Sequence, residues 1–140
     1  MEVNRMNILV VDDNRMDRML IENVLKKHGY RIITANDGEE ALNAYNKDSF
    51  DLIIIDWMMP PAGGLNICKE IRKIEAETGG FCYVIMVTGK NLVEDEVRAF
   101  EAGVNDFISK PFDQAILVAR VKAGMKIVND RKTLTQATCE

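Results

Sequence analysis

Two stretches of similar design decide the fold: ILVVDDN at residues 8–14 and DLIIIDW at residues 51–57. Each contains an uninterrupted apolar run, which predicts a strand buried on both faces, and each places aspartate directly after that run. Two further stretches, YVIMVTG at residues 83–89 and FISKP at residues 107–111, place a hydroxyl and an amine after apolar residues. Polar side chains that follow buried parallel strands meet at one edge of the sheet, which is where ligands bind in open α/β folds.

Helical patterns lie between the strands. The predicted strands span residues 8–11, 30–35, 51–55, 83–87 and 106–109. The predicted helices span residues 14–27, 37–46, 65–74, 93–102 and 113 onward. The first helix is predicted from Met16, Leu20 and Val24, which are spaced by four residues, with Ile21 and Leu25 beside them. Residues 75–81, with two adjacent glycines, predict a turn. This alternation predicts a parallel sheet with helices on both faces and right-handed connections.

Composition restricts the class of protein. The chain has 140 residues, of which 47% are apolar, and this suits one domain with a hydrophobic core. The net charge of −4 argues against direct binding to nucleic acid through a basic surface. No apolar run approaches the roughly 20 residues of a membrane-spanning helix, and the first residues lack the apolar stretch of a signal peptide. The three cysteines form no CxxC pair and favour reduced thiols, so we expect a cytoplasmic protein without membrane contact.

Three acidic residues at the ends of two strands are candidate metal ligands. Asp12 and Asp13 follow the first strand, and Asp56 follows the third. Carboxylates crowded at one edge repel one another unless a cation lies between them. Mg²⁺ fits such a site because it takes hard oxygen ligands, including one or two carboxylates and the oxygens of a phosphate. A simpler explanation for Asp12 and Asp13 alone is that they cap the first helix.

Asp56 is also a candidate nucleophile. A carboxylate can attack phosphorus and form an aspartyl phosphate. The Thr88 hydroxyl and the Lys110 ammonium, which follow the fourth and fifth strands, would then contact the phosphoryl oxygens. Taken singly, each residue has an ordinary structural explanation: a turn cap for Asp56, a strand end for Thr88 and a solvated surface side chain for Lys110. Their joint position at strand ends favours a phosphoryl site.

These stretches resemble the receiver domain of bacterial two-component response regulators. The resemblance rests on ILVVDDN, DLIIIDWMMPPAGGL, VIMVTGK and NDFISKPF, in the same order and with matching spacing, from about residue 7 to about residue 128. It implies a flavodoxin-like α/β fold, a doubly wound five-stranded parallel sheet in the order 2-1-3-4-5 with five flanking helices. It also implies a conformational signalling switch rather than an enzyme, with self-catalysed phosphorylation and dephosphorylation only.

The resemblance assigns roles at the phosphoryl site. Asp56 would be the phosphoacceptor, and Thr88 and Lys110 would contact the transferred group. Thr88 and Phe107 would form the switch, with the aromatic ring rotating inward as Thr88 moves. The bond between Lys110 and Pro111 would be the cis peptide bond of the family. Phe107 replaces the equally common tyrosine and has no hydroxyl, so we expect the resting equilibrium to be biased towards the inward ring.

The resemblance also implies a cofactor and partners. Asp12, Asp13, Asp56 and the backbone carbonyl of Met58 would bind Mg²⁺. The phosphoryl donor would be a histidine kinase or a phosphotransfer protein that carries phosphohistidine. The face built from the fourth helix, fifth strand and fifth helix would change on phosphorylation, and it is the candidate interface for a homodimer.

Two other classes of protein remain open. An Mg²⁺-dependent phosphatase or phosphotransferase would also form an aspartyl phosphate, but many such enzymes have a second acid two residues after the nucleophile, where this chain has Met58. A flavodoxin-like cofactor carrier would have a loop rich in Ser, Thr and Gly after the first strand. This chain has Asp12-Asp13-Asn14 there, which repels phosphate in the absence of a metal.

The predicted domain organisation is simple. We assign residues 5–128 to the receiver domain and residues 129–140 to a polar C-terminal extension or the start of a linker. A helix continuing over residues 118–134 would suit either a dimerising linker or a solvated end. Charged residues there, including Arg131 and Lys132, are expected to form a solvated face. Residues 59–64, MPPAGG, predict a loop and depart from the MPxMDG sequence common in the family.

Overall fold

The computed structural model describes residues 6–58, 63–89 and 93–139, apart from the side chains at 93–95 and 134–139. The strands are β1 (Asn7–Val11), β2 (Arg31–Ala35), β3 (Leu52–Asp56), β4 (Tyr83–Thr88) and β5 (Asp106–Ser109). The helices are α1 (Arg15–Lys26), α2 (Gly38–Lys47), α3 (Gly64–Thr78), α4 (Val93–Glu101) and α5 (Gln114–Cys139). No helix in this part of the chain is both long enough and apolar enough to cross a membrane.

The strands form one parallel sheet in the order β2-β1-β3-β4-β5. β1 pairs with both β2 and β3, so residues 8–11 align with residues 32–35 on one side and 52–55 on the other. The strand order reverses between β1 and β3, and the carboxyl ends of strands at such a reversal form the usual ligand site of an open α/β sheet. The predicted flavodoxin-like fold and its strand order are confirmed.

Alternate residues of the strands supply two separate cores. Leu9 and Ile53 belong to the core under α2, α3 and α4. Their chain neighbours Ile8 and Ile54 belong to the core under α1 and α5. All four side chains are at most 1% exposed. Burial on both faces explains why the central strands are apolar throughout instead of alternating between apolar and polar residues.

α1 forms where the apolar spacing predicted a helix, and it buries only part of that pattern. Ile21, Val24 and Leu25 are buried. Met16 and Leu20, which belong to the row spaced by four, are 81% and 39% exposed. Residues spaced by four drift around a helix by about 40° at each step. A row of this kind therefore leaves the buried face within two turns.

α3 is longer than predicted. The sequence indicated a turn over residues 75–81, but the helix continues to Thr78 and ends at Gly79, whose φ of 78° is left-handed. Glu75, which was expected in the turn, is a buried helical residue. Its carboxylate accepts a hydrogen bond from the Cys82 amide at 2.7 Å. The prediction failed because Gly79 and Gly80 suggested a turn, whereas the Cys82 amide that bonds Glu75 follows those glycines in the sequence.

α5 runs unbroken past the proposed end of the receiver domain. Lys132 Nζ lies 2.5 Å from Asp51 Oδ1, and the Arg131 guanidinium lies 4.3 Å from the centroid of the Phe81 ring. Asp51 and Phe81 lie just before β3 and β4. Arg131 and Lys132 are exposed, as the prediction of a solvated face required, but they also contact residues that precede two strands of the sheet.

Two cysteines are buried thiols. Cys68 and Cys82 are both fully buried in the core. Burial raises the pKa of Cys68 to about 11 and the pKa of Cys82 well above its ordinary value. Thiols that stay protonated and inaccessible are poor nucleophiles, so both are structural residues.

Candidate functional site

Four predicted site residues lie along the carboxyl edge of the sheet. Asp12 follows β1, Asp56 ends β3, Thr88 ends β4 and Lys110 follows β5. Asp12, Asp56 and Thr88 are 1%, 6% and 4% exposed. The Lys110 backbone amide donates a hydrogen bond to the backbone carbonyl oxygen of Thr88 at 2.8 Å. This bond continues the pairing of β4 and β5 beyond the strand ends. Residues separated by up to 98 positions in the sequence thus share one edge.

Asp12, Asp13 and Asp56 form a cluster of carboxylates, as predicted. One oxygen from each lies within 4.8 Å of the other two. Asp12 and Asp56 are buried, whereas Asp13 is exposed and borders solvent. A donor set made only of carboxylate oxygens fits a hard cation such as Mg²⁺ and does not suit metals that prefer sulfur or nitrogen ligands.

The Asp56 carboxylate has a distinct environment at each oxygen. Oδ1 accepts a hydrogen bond from the Met58 amide at 3.2 Å, and Oδ2 lies 3.3 Å from Lys110 Nζ. Burial raises the pKa of Asp56 to about 6, the charge of Asp12 adds to this effect, and the charge of Lys110 opposes it. A cation between the carboxylates would offset both the burial and the repulsion. The electrostatics of the described residues therefore fit a divalent metal.

Lys110 is surrounded by acids. Its Nζ lies 3.1 Å from Asp12 Oδ2, 3.0 Å from Asp17 Oδ2 and 3.3 Å from Asp56 Oδ2. Burial alone would lower the pKa of Lys110, but hydrogen bonds to Asp17 and Asp12 raise it above its ordinary value. The amine therefore remains an ammonium ion. The alternative that Lys110 is a solvated surface lysine is wrong, and the bond to Pro111 is cis, as the resemblance implied.

Asp17 is the site residue that sequence reasoning missed. It lies in the first turn of α1, and its carboxylate is as close to Lys110 as that of Asp12. A usable signal was present in the sequence, because a helix that follows a parallel strand begins at the carboxyl edge of the sheet. An acid in that first turn is therefore near any site at the edge.

The two predicted switch residues occupy different positions. Thr88 lies at the edge with the acids, whereas Phe107 lies within β5, where it pairs with Met86 of β4. The Phe107 ring is half-buried against the core under α2, α3 and α4, and it meets the Phe100 ring edge to face, with centroids 5.1 Å apart. The role of Thr88 and Phe107 as a switch stays a prediction.

The chain on either side of residues 59–62 is hydrogen-bonded close to Asp56. On one side, the Met58 amide donates to the Asp56 carboxylate. Met58 is 60% exposed, residues 59–62 of the predicted loop lie outside the described residues, and α3 begins at Gly64, one residue earlier than predicted. The Gly64 amide donates to the Trp57 oxygen at 3.0 Å. A Cβ atom at Gly64 would clash with the backbone carbonyl oxygen of Asp56, so glycine permits α3 to begin this close to β3.

Comparisons with known proteins agree with this geometry. Residues 8–122 match the family described as response regulator receiver domain. The probable transcriptional regulator ycf27 of Cyanophora paradoxa is 36% identical over 138 residues, which are 99% of this chain and 56% of that protein. The phosphate regulon transcriptional regulatory protein PhoB of Escherichia coli (strain K12) is 38% identical over 122 residues, which are 87% of this chain and 52% of PhoB. The structure of chemotaxis protein CheY4 from Vibrio cholerae aligns with a TM-score of 0.80 at 29% identity, covering 86% of this chain and 98% of that one.

The chain therefore belongs to the family of response regulator receiver domains, which are signalling switches of two-component systems. The resemblance noted in the sequence is confirmed, and the flavodoxin-carrier alternative does not fit the family match. The chain spans about half the length of the curated relatives it matches.

Proposed function

We propose that this receiver accepts a phosphoryl group from phosphohistidine onto Asp56, with Mg²⁺ bound at the same edge of the sheet. The observation that carries the proposal is the position of the Asp56 carboxylate. It is 6% exposed, it lies 3.3 Å from a protonated Lys110, and it belongs to the cluster of three acids. A nucleophile, a cationic partner and a set of metal ligands therefore share one site.

The transfer step uses the ionised form of Asp56. Its pKa of about 6 leaves most of this carboxylate ionised at neutral pH even before a metal binds. One of its oxygens forms a bond to phosphorus while the bond from phosphorus to the imidazole nitrogen of the donor breaks, and the imidazole keeps the electron pair. Mg²⁺ bound by the three carboxylates and the backbone carbonyl of Met58 would supply positive charge for the phosphoryl oxygens. The Lys110 ammonium supplies a second positive charge at the same edge.

Phosphorylation would then shift a conformational equilibrium. The added negative charge attracts the Thr88 hydroxyl and the Lys110 ammonium, and this favours the conformation in which both are close to Asp56. A swing from 1:99 to 99:1 requires about 5.5 kcal/mol of differential interaction. As Thr88 moves, the ring of Phe107 would rotate inward and change its contact with Phe100. Because Phe100 belongs to α4, the face formed by α4, β5 and α5 would report the change.

The chemistry of the chain would be limited to its own phosphorylation and dephosphorylation. Attack of water on phosphorus would return Asp56 to the free carboxylate and reset the switch. The position two residues after Asp56, where many aspartyl-phosphate enzymes have a second acid, is occupied by Met58. This supports a switch over a phosphatase or phosphotransferase.

The partners we propose follow from this chemistry. The donor is a histidine kinase or a phosphotransfer protein in the cytoplasm, and the face of α4, β5 and α5 is the candidate homodimer interface. We assign residues 5–128 to the receiver domain and residues 129–140 to a polar C-terminal extension or the start of a linker, into which α5 runs as far as Cys139. The net charge of −4 supports a receiver that does not itself bind nucleic acid or a membrane surface.

Intact-mass measurement tests the proposal directly. The wild-type chain is incubated with Mg²⁺ and acetyl phosphate, beside Asp56→Asn and Asp51→Asn. Asp51 is the matched control because it is a buried aspartate next to the opposite end of β3. We expect one phosphoryl adduct on wild type and on Asp51→Asn, and none on Asp56→Asn.

Two results would contradict the proposal. One is an undiminished adduct on Asp56→Asn, which would place the acceptor elsewhere. The other is a wild-type chain that is folded and binds Mg²⁺ but takes no phosphoryl group from a donor that is active on another receiver. The second result would indicate a receiver that works as an unphosphorylated interaction module.

A further inference from the structure

We propose that Asp17 is a positioning residue that holds the Lys110 ammonium in place for the transfer to Asp56. This inference rests on the proposed function, because the lysine contacts the phosphoryl group there. An ammonium ion has three N–H donors, and three carboxylate oxygens lie within 3.3 Å of Lys110 Nζ. Asp17 provides the shortest of these contacts, at 3.0 Å.

Asp17 is itself held by the capped end of α1. Its backbone amide donates to Asn14 Oδ1 at 3.0 Å, and the Asn14 amide donates to Asp12 Oδ1 at 2.9 Å. Its side chain is 34% exposed and that of Lys110 is 22% exposed, so the ion pair is partly shielded from water. The first turn of the helix is thus fixed to the acid cluster, and the carboxylate of Asp17 is presented from a stable position.

One conformation of Lys110 satisfies both Asp17 and the phosphoacceptor. Nζ lies 3.0 Å from Asp17 and, at the same time, 3.3 Å from Asp56. The lysine therefore does not have to leave Asp17 to contact a group on Asp56. A lysine side chain has large rotational freedom, and a fixed anion at its end reduces the number of conformations that compete with the productive one.

Metal binding makes Asp17 more important for this purpose. Asp12 and Asp56 belong to the acid cluster that fits Mg²⁺, so a bound cation would compete with Lys110 for their oxygens. Asp17 stands outside that cluster. It is therefore the one of the three carboxylates around Lys110 that stays available to the lysine when the metal is in place.

The kinetic test compares initial rates of adduct formation with acetyl phosphate and Mg²⁺. Asp17→Asn keeps the size of the side chain and removes its charge, and we expect the rate to fall about three- to tenfold, as for the loss of one partly shielded ion pair. Asp17→Glu restores the charge and should stay within about twofold of wild type. Glu22→Gln is the matched control, because Glu22 lies on the same helix and pairs with Lys26 at 2.9 Å. It should also stay within about twofold.

A double-mutant cycle shows whether Asp17 acts through the lysine. In a Lys110→Ala background, Asp17→Asn should change the rate by less than about twofold, because no ammonium is left to position. An equal fall in both backgrounds would overturn the proposal, since it would mean that Asp17 acts on the site in another way.

A second readout does not depend on phosphorylation. The ¹⁵N signal of the Lys110 ammonium, identified by its loss in Lys110→Arg, should be visible in wild type and in Glu22→Gln, with and without Mg²⁺. In Asp17→Asn with Mg²⁺ present, it should broaden or disappear, because the metal competes for Asp12 and Asp56 and the released ammonium exchanges its protons faster with water. A purely structural role for Asp17 would instead lower the midpoint of thermal unfolding and leave this signal in the folded protein.

The outcomes separate the two proposals. If Asp17→Asn retains either the ammonium signal or the wild-type rate, the positioning role is overturned. If wild type takes no phosphoryl group but Asp17→Asn loses the signal, the proposed function fails and the hold of Asp17 on Lys110 is supported. If Asp17→Asn does not fold, Asp17→Ser is judged by the same two criteria.

Discussion

The two edges of the sheet hold buried acids in opposite electrostatic settings. At the amino edge, Asp51 pairs with Lys132 and Glu75 pairs with Arg72, so each acid has its own cation. At the carboxyl edge, three aspartates lie within 3.3 Å of the Lys110 ammonium, and a fourth, Asp13, joins two of them in the acid cluster. The balanced edge holds elements together. The carboxyl edge carries excess negative charge, and it is the edge where we propose that Mg²⁺ and a phosphoryl group bind.

At the amino edge, the hydrogen bonds of the acids are satisfied within the protein and their charges are balanced. Asp51 accepts from the Asn7 amide at 2.8 Å, and Glu75 accepts from the Cys82 amide at 2.7 Å. Arg72 donates to Glu75 and to the backbone oxygens of Cys82 and Gly103. Across the part of the chain that the structure describes, no buried side-chain nitrogen or oxygen lacks a hydrogen-bond partner. Asp51 thus connects β1 and α5 at the start of β3. Glu75 and Arg72 together connect α3 to the segments before β4 and before β5.

The largest effect on stability is expected at Glu75. Replacing Glu75 by Ala removes the partner of Arg72 and the acceptor for the Cys82 amide, which leaves polar groups unpaired in a site where Glu75 is 8% exposed. Removal of one member of a buried ion pair costs about 3 kcal/mol of the free energy of unfolding, measured by urea denaturation. Glu75→Gln is the matched variant. It keeps an oxygen for the amide and should cost about 1 kcal/mol.

A loss well below 1 kcal/mol for Glu75→Ala would contradict the comparison. It would mean that the carbonyl oxygens around Arg72 satisfy the guanidinium without its carboxylate, and that the amino edge is not stabilised by balanced charge.

Asp56 is expected to respond in the opposite direction. Its pKa is raised from 3.8 to about 6 in the fold, chiefly by burial, so the folded chain disfavours the ionised carboxylate. Asp56→Asn should therefore increase the free energy of unfolding of the metal-free protein by about 3 kcal/mol at pH 8, because each unit of pKa shift corresponds to about 1.4 kcal/mol. The gain in unfolding free energy is fully present above pH 6 and declines as the pH falls from about 6 to about 4. It vanishes at lower pH, where the Asp56 carboxyl of wild type is protonated in both the folded and the unfolded chain.

Urea denaturation in a chelating buffer at pH 4, 6 and 8 checks this sign. If the unfolding free energy gained by Asp56→Asn does not change with pH, the effect comes from packing and not from charge. If Asp56→Asn is less stable than wild type at pH 8, the carboxylates do not destabilise one another as we infer. Addition of Mg²⁺ supplies a control, since it should stabilise wild type more than Asp56→Asn by binding preferentially to the complete acid cluster.

The comparison also shows how much of the molecule the sequence could predict. Asp12, Asp13, Asp56 and Lys110 were found because each follows an apolar run, and parallel strands deliver their carboxyl ends to the same edge. The order of the strands was available only through the family resemblance, because apolar runs of this kind do not specify their neighbours. The C-terminal end of α3 was not predictable, because nothing in the sequence distinguishes Glu75, a buried helical acid, from an acid in a turn.

The residues that were missed share one property. Asp17 and Lys132 lie on helices whose exposed charges look like solvated faces, and their partners are 93 and 81 residues away. Helical periodicity reveals which residues face the core, but it does not reveal which charged residue meets another across the fold. The acids that follow strands were predictable for a topological reason, and the ion pairs made by helices were not.

The smallest effect is expected for Lys132→Ala. Lys132 is 57% exposed on its side chain, so its ion pair with Asp51 is screened by water, and Asp51 keeps the hydrogen bond from the Asn7 amide. The free energy of unfolding should fall by about 0.5 kcal/mol in low salt, and the difference should shrink at high ionic strength. The rate of adduct formation at Asp56 should stay within about twofold of wild type, because Lys132 lies at the opposite edge. A loss above 2 kcal/mol, or a marked change in that rate, would mean that the amino edge depends on its cation as strongly as the carboxyl edge depends on Lys110. The contrast between a balanced edge and one with excess negative charge would then have to be replaced by coupling of the two edges along β3.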